Sequence, residues 1–202
     1  MFSQVEQHAD VYIVSAEANP MVKITFDELV IQSNLIGAYN ATNINAAITI
    51  GKHFNLEETA IKKAIEAYVP DNNRSQLIEK NSNEIILDAY NANPSSMQAA
   101  IANFSQINKE SKIAVLGDMF ELGTESLAEH KIIVNKLKEL QNIETHFIGK
   151  DFYQNKIEST HLHFYEEFEQ FSELIKKKNL KNSFILIKGS RGMALEKTLE
   201  VI

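Results

Sequence analysis

Cysteine is absent from the 202 residues, which excludes disulfides, zinc–thiolate centres and thiol nucleophiles within them. Glycine is sparse: Gly37, Gly51, Gly117, Gly123, Gly149, Gly189 and Gly192 are the whole set. No arrangement of them spells G-x-x-x-x-G-K-[ST] or G-x-G-x-x-G, so the main cradle for a bound phosphate is not in this chain. No apolar run approaches the roughly 18 residues of a membrane-crossing helix, and no membrane insertion is expected. Residues Met1–Asp10 lack the basic and apolar regions of a secretory leader, so none is expected and the expected location is the cytoplasm. Basic residues are outnumbered 20 to 27, a net charge of −7, which argues against nucleic acid or an anionic membrane as a partner. The six histidines show no H-x-x-x-H spacing of a metal site. What is present, 44% hydrophobic and 23% charged residues, suits one large globular domain or two small ones.

The chain changes rhythm along its length. Val11–Val14, Met21–Phe26 and Glu28–Gln32 read as strands, the first two flanking a turn at Asn19-Pro20. Helical periodicity follows over Ala41–Phe54 and Leu56–Tyr68, the second stopping at Pro70. Past the polar stretch Val69–Arg74 come short unalternating apolar runs: Glu84–Leu87, Lys112–Leu116, Thr145–Ile148 and Ser183–Ile187. Such runs suit parallel strands buried on both faces. Helices are predicted between them at Ser95–Ile107, Ser126–Leu140 and Glu166–Lys178, with a last one at Arg191–Glu200 and a short strand near Leu162–Phe164. The pattern is that of an α/β, Rossmann-like, mostly parallel sheet flanked by helices, preceded by a small α+β portion.

In open α/β sheets ligands collect at the carboxyl ends of strands. Those ends read Asp88–Pro94, Gly117–Met119, Gly149–Asp151 and Lys188–Gly192. Asp88 could accept from the two hydroxyls of a ribose, while Asn91 and Asn93 could bind a ligand or form turns. Arg74 could clamp a phosphate with its two-pronged guanidinium or be a surface charge. Asn40 and Asn43, three apart at a helix start, could cap it or offer a base edge a donor and an acceptor together. Lys188, Ser190 and Arg191 enter a helix as a carboxylate site would, or as a tight turn does. Asp118 and Glu121 could bind a cation or amine or cap the next helix, and His130, a lone histidine about two turns into that helix, reads as structural rather than catalytic.

Taken in order, five blocks carry a resemblance: G-x-Y-N-x-x-N-x-x-A-A from Gly37, P-x-N-N-R-S-Q from Pro70, D-A-Y-N-A-N-P-x-S-M from Asp88, L-G-D-M-x-E-L-G-x-x-x-x-x-x-H from Leu116 and K-G-S-R-G-M from Lys188. Together they resemble the Mur ligase family, over about Leu35 to the last residue. The third and fourth blocks point to the member type that joins D-alanyl-D-alanine to UDP-N-acetylmuramoyl-tripeptide in peptidoglycan precursor synthesis. The resemblance implies ATP-dependent amide formation through an acyl phosphate, with ATP and Mg2+ as cofactors. It implies that residues 1–78 are the last part of a central ATP-binding domain and 79–202 a complete Rossmann-like C-terminal domain. The N-terminal domain, the P-loop and the metal ligands of the family would lie outside this chain. By the same resemblance Asn43, with Asn40 beside it, faces adenine, Arg74 the phosphates and Asp88 the ribose. Asn91, Asn93, Lys188, Ser190 and Arg191 would line the acceptor side; Asp118 and His130 receive no role. The rival readings are an amide ligase of the same superfamily with another acceptor, such as folylpolyglutamate synthetase, and a stand-alone α/β binding module.

These 202 residues alone are expected to catalyse no ATP-dependent amide formation, because the groups that hold the transferring phosphate are missing from them. Release of ADP coupled to amide formation by the purified chain, supplied with both substrates, would overturn this.

Overall fold

The computed structural model describes residues 2–3, 11–18, 20–26 and 28–202, so Asn19 of the expected first turn lies outside the described residues. The chain divides into two compact units, residues 1–71 and 72–202. Among the described residues no helix is long and apolar enough to cross a membrane.

The first unit is a four-stranded sheet with two helices. Strands β1 (Phe2–Ser3), β2 (Val11–Ala18), β3 (Met21–Phe26) and β4 (Leu29–Ile36) lie in that order. β1 runs parallel to β2, and β2, β3 and β4 form an antiparallel meander. β4 runs on past Gln32 to Ile36, with Ser33 continuing the burial of Ile31 and an irregularity in the pairing with β3 before buried Ile36. Helices α1 (Asn40–His53) and α2 (Glu58–Ala67) follow. Ile13, Val22, Ile24, Phe26 and Ile31 pack with Ile44 and Ile48 of α1 and Ile61 of α2. Burying each such side chain stabilises by about 1.5–3 kcal/mol. The helices approach closely at Gly51, where an added Cβ would lie 2.8 Å from the Ile61 side chain.

The second unit is a six-stranded sheet. It holds β5 (Gln76–Lys80), β6 (Asn83–Asp88), β7 (Lys112–Gly117), β8 (Glu144–Ile148), β9 (Leu162–Tyr165) and β10 (Phe184–Lys188), ordered β5-β6-β10-β7-β8-β9. All pairs are parallel except β5 with β6. That hairpin turns on Asn81 and Ser82, both at positive φ (50° and 63°), the primed turn that suits strand twist. The sequence does not mark β5 as a strand, because its turn lacks the glycine that flags such hairpins. Helices α3 (Pro94–Gln106), α4 (Ser126–Glu139), α5 (Lys150–Gln154) and α6 (Phe168–Lys178) complete the unit.

Period-two alternation sorts the core. Ile85, Ile185 and Ile113 form one cross-strand row and Leu87, Ile187 and Val115 the next, all packed with Phe171 and Ile175 of α6. On the alternate register, Phe184 stacks on Phe104 of α3 at 5.6 Å. After β10 the expected α-helix is absent. Residues Arg191–Met193 and Leu195–Glu200 form 3₁₀ turns, broken by Ala194 at φ 48°. That break drives Leu195 into the core, fully buried.

At the β8–β9 edge, Glu144 accepts from His146 Nε2 (3.0 Å) and from Lys178, while Tyr165 donates to His146 Nδ1 (3.1 Å). His163 stacks on His146, and its Nε2 lies 3.6 Å from the same carboxylate. The His146 bond, then the Lys178 ammonium, hold Glu144 at about 2, against the cost of burial. Burial holds His146 and His163 below the usual histidine range. A carboxylate depressed in the fold contributes stability above its unfolded value, lost as pH falls toward the folded one. Glu144→Gln is therefore expected to cost about 1–2 kcal/mol above pH 5 after solvent screening. The difference from wild type should shrink as pH falls from about 4.5 to about 2. Urea unfolding across that range checks it, and a difference independent of pH would overturn the assignment.

Candidate functional site

The strand ends gather where parallel strands buried on both faces run out of apolar partners, and there the polar residues cluster. Asp88 and Lys188 are register partners on β6 and β10. Lys188 donates from Nζ to Asp88 Oδ2 at 2.6 Å and to the Asn91 carbonyl at 3.3 Å. The other carboxylate oxygen accepts the Ser75 N–H at 3.1 Å. Lys188 is 2% exposed. An ammonium desolvated that far persists only beside a counter-charge. One residue before Ser75, the exposed Arg74 guanidinium lies 3.8 Å from the centre of the Tyr90 ring. Tyr90 N–H donates to the Asn73 carbonyl. Stacking presents the guanidinium fork in a fixed plane.

Ser190 ties three loops together. Its hydroxyl accepts the Phe120 N–H (2.8 Å) and donates to the Ala92 carbonyl (3.4 Å), and its N–H donates to the Asp118 carbonyl (3.2 Å). Gly189 permits the approach: a Cβ there would lie 3.2 Å from Gly117 Cα. Asn93 caps α3, its Oδ1 accepting the Ser96 N–H at 2.8 Å while the Ser96 hydroxyl accepts the Asn93 N–H. Asn91 is exposed, its Oδ1 accepting the Ala92 N–H. Arg191 is exposed and donates to Glu196 Oε1 at 2.7 Å. The resemblance implies five residues as an acceptor lining. Of these, Lys188 and Ser190 are interior fasteners, Asn93 is a cap, and Asn91 and Arg191 reach solvent. Strand ends expose backbone groups that need partners, and the nearest polar side chains supply them.

Asp118, read from the sequence without a role, fastens β7 to α5. Its two oxygens accept the N–H groups of Asp151 and Phe152, each at 3.0 Å. Burial pushes its carboxyl up, in opposition to those two bonds. Gly149 makes room: at φ 126°, a Cβ would lie 2.3 Å from the Asp118 Cγ. His130 accepts the Met119 N–H at Nε2 (3.0 Å) and donates from Nδ1 to the Ser126 carbonyl (2.7 Å). That pattern fixes a neutral tautomer, so its 3.5 Å approach to Asp118 is not an ion pair. Asp118, His130 and Asp151 lie close enough together to suggest a cation site. The inward atoms of Asp118 and His130 already accept backbone N–H bonds, so a metal does not fit without dismantling them. The glycine after β8 was the one sequence signal for this arrangement.

In the first unit, Asn40 is buried and donates from Nδ2 to the Ile36 carbonyl at 2.8 Å. Its Oδ1 accepts from Asn43 Nδ2, also at 2.8 Å. Neither side chain caps α1. Asn43 is exposed, and this bond orients its carboxamide while leaving an N–H and a carbonyl oxygen for a ligand.

His130→Ala would leave the buried Met119 N–H unpaired and a cavity where the imidazole stood. It is expected to lower stability by about 2–4 kcal/mol in urea unfolding. EDTA should leave the wild-type midpoint unmoved; a chelator-dependent drop would establish a bound cation.

The family description "Mur ligase, glutamate ligase domain" matches residues 73–191. The UDP-N-acetylmuramoyl-tripeptide–D-alanyl-D-alanine ligase of Buchnera aphidicola is 34% identical over 176 residues, 86% of this chain and 38% of its own length. That of Treponema pallidum is 31% identical over 169 residues, 81% of this chain and 37% of its own length. This chain therefore spans less than two fifths of the length of these curated relatives. A crystal structure of MurF from Acinetobacter baumannii matches with a TM-score of 0.84 at 27% identity, over 98% of this chain and 45% of that one. MurF from Thermotoga maritima in complex with ADP shares the fold, with a TM-score of 0.78 at 20% identity, over 99% of this chain and 47% of that one. The chain belongs to the Mur ligase family.

Proposed function

We propose that this chain supplies the acceptor platform and part of the nucleotide clamp of a ligase joining D-alanyl-D-alanine to UDP-N-acetylmuramoyl-tripeptide. The observation that carries the reading is the strand-end rim of the second unit. There Arg74, Asn91 and Arg191 stand in solvent on loops fastened by the Asp88–Lys188 pair, Ser190 and Asp118. A rigid frame with exposed hydrogen-bonding tips is what binding a small polar substrate requires. The relative solved with ADP supports a nucleotide as the second ligand.

In this reading Asn43, held by Asn40, meets the edge of adenine. Asp88 accepts from the ribose hydroxyls, and Arg74 meets phosphate oxygens in a plane set by Tyr90. Bound ATP would supply the phosphoryl group that turns the tripeptide carboxylate into an acylating agent. Arg191 and Asn91 hold the carboxylate end of the dipeptide, leaving its amine directed to that carbonyl. The reaction also calls for Mg2+, and no residue of this chain is assigned to it. A cytoplasmic location goes with such a nucleotide-consuming reaction.

Ligand-observed NMR of this chain with D-alanyl-D-alanine, against L-alanyl-L-alanine, tests the acceptor assignment. Selective binding of the D,D form is expected, weakened about tenfold in Arg191→Ala by loss of a charge-assisted bond. Equal signals from both dipeptides, or none from either, would overturn the acceptor assignment.

A further inference from the structure

The Asp88–Lys188 pair raises a question that the proposed roles leave open. β10 is buried at every residue from Phe184 to Lys188. An apolar residue in its last place would extend that pattern, yet a lysine stands there. Its charge is spent on one oxygen of Asp88 (2.6 Å) and on the Asn91 carbonyl. Ser75 takes the other oxygen through its N–H. The carboxylate is thus held by Lys188 on one oxygen and by the Ser75 N–H and hydroxyl (3.5 Å) on the other, while its side chain keeps 14% exposure against 3% for the lysine. A carboxylate has about four lone-pair directions. The grip therefore leaves acceptor capacity on a carboxylate partly open to solvent. Past Lys188 the chain runs directly into Gly189 and Ser190, whose hydroxyl and N–H bind the loops after β6 and β7, and then into exposed Arg191.

We propose that Lys188 is a positioning residue. It orients Asp88 for the vicinal hydroxyls of the ribose, and it carries ribose occupancy into the Gly189–Arg191 loop on the acceptor side. A diol donating to the remaining lone pairs of Asp88 draws on the negative charge that holds the Lys188 ammonium and loosens that bond. Any shift of the ammonium is passed one residue along the backbone to Gly189. The two halves of the rim are then one mechanical unit, and the nucleotide prepares the acceptor loop. The inference rests on the reading that Asp88 faces a ribose, and the test separates the two.

The probes are ADP and 2′,3′-dideoxy-ADP, titrated into the full chain with amide-resolved NMR. Wild type is expected to bind ADP about tenfold more tightly, the size of a lost pair of hydrogen bonds to a carboxylate. ADP, and not the dideoxy form, should shift the Gly189, Ser190 and Arg191 amides. In Lys188→Met the preference should fall to about onefold, and Lys188→Arg should retain it. A merely structural role would weaken both nucleotides equally and leave the ratio intact, and that result overturns the proposal alone. Equal amide shifts from the two nucleotides in wild type, which need no variant to fold, also overturn it. Wild type that binds neither nucleotide, or binds both equally, overturns the ribose reading of Asp88 and this inference with it.

Discussion

The second unit depends on its last strand. β10 is the final strand made, yet it lies between β6 and β7, the first two of the parallel set. Until Phe184–Lys188 is in place, β6 and β7 have no common neighbour, and the rows Ile85–Ile185–Ile113 and Leu87–Ile187–Val115 do not exist. Such non-local pairing is costly in loop entropy and is repaid only when the whole row closes. The same event brings Lys188 to Asp88, 100 residues earlier in the chain, and Ser190 to Phe120 and Ala92. The core and the rim are therefore formed by one insertion.

Once the sheet is closed, its polar residues divide their labour by depth. Deep in the rim, Lys188, Ser190, Asp118 and His130 are almost fully buried and serve backbone groups or one another. A buried polar group left unpaired costs more than a made bond contributes, so these residues cannot also reach for a ligand without loss. Arg74, Asn91 and Arg191 are the outer layer, exposed and oriented by their neighbours. Asp88 lies between the two layers, gripped from inside and partly open to solvent, which is why it can belong to both. Close backbone approach at Gly189 and the positive φ at Gly149 make the deep layer possible, since a side chain at either would meet Gly117 or the Asp118 carboxylate.

Much of this was legible in the residues. Unalternating runs such as Lys112–Leu116 told of strands buried on both faces because no polar residue interrupts them. The placing of polar motifs after each strand told that these polar residues would gather at one edge of the sheet. Less legible were features whose signals are weak or distant. β5 turns on Asn81-Ser82 without a glycine, and α5 is a single short turn. The segment from Arg191 has helical composition, but Ala194 adopts a left-handed conformation so that Leu195 can seal the space over Gly117 and Gly189.

The sequence by itself determined the α/β class, the clustering of polar motifs at the strand ends and, through five ordered blocks, the family. These follow from local periodicity and from residue types that carry their chemistry wherever they stand. Only the tertiary structure decided which polar residues of those blocks reach solvent and which hold the frame. Lys188 and Arg191 are three residues apart in one motif, yet one ends a strand with both faces covered and the other begins an exposed turn. Burial is a property of what packs against a residue, and for Lys188 that partner is Asp88 on another strand, unspecified by anything local to the lysine.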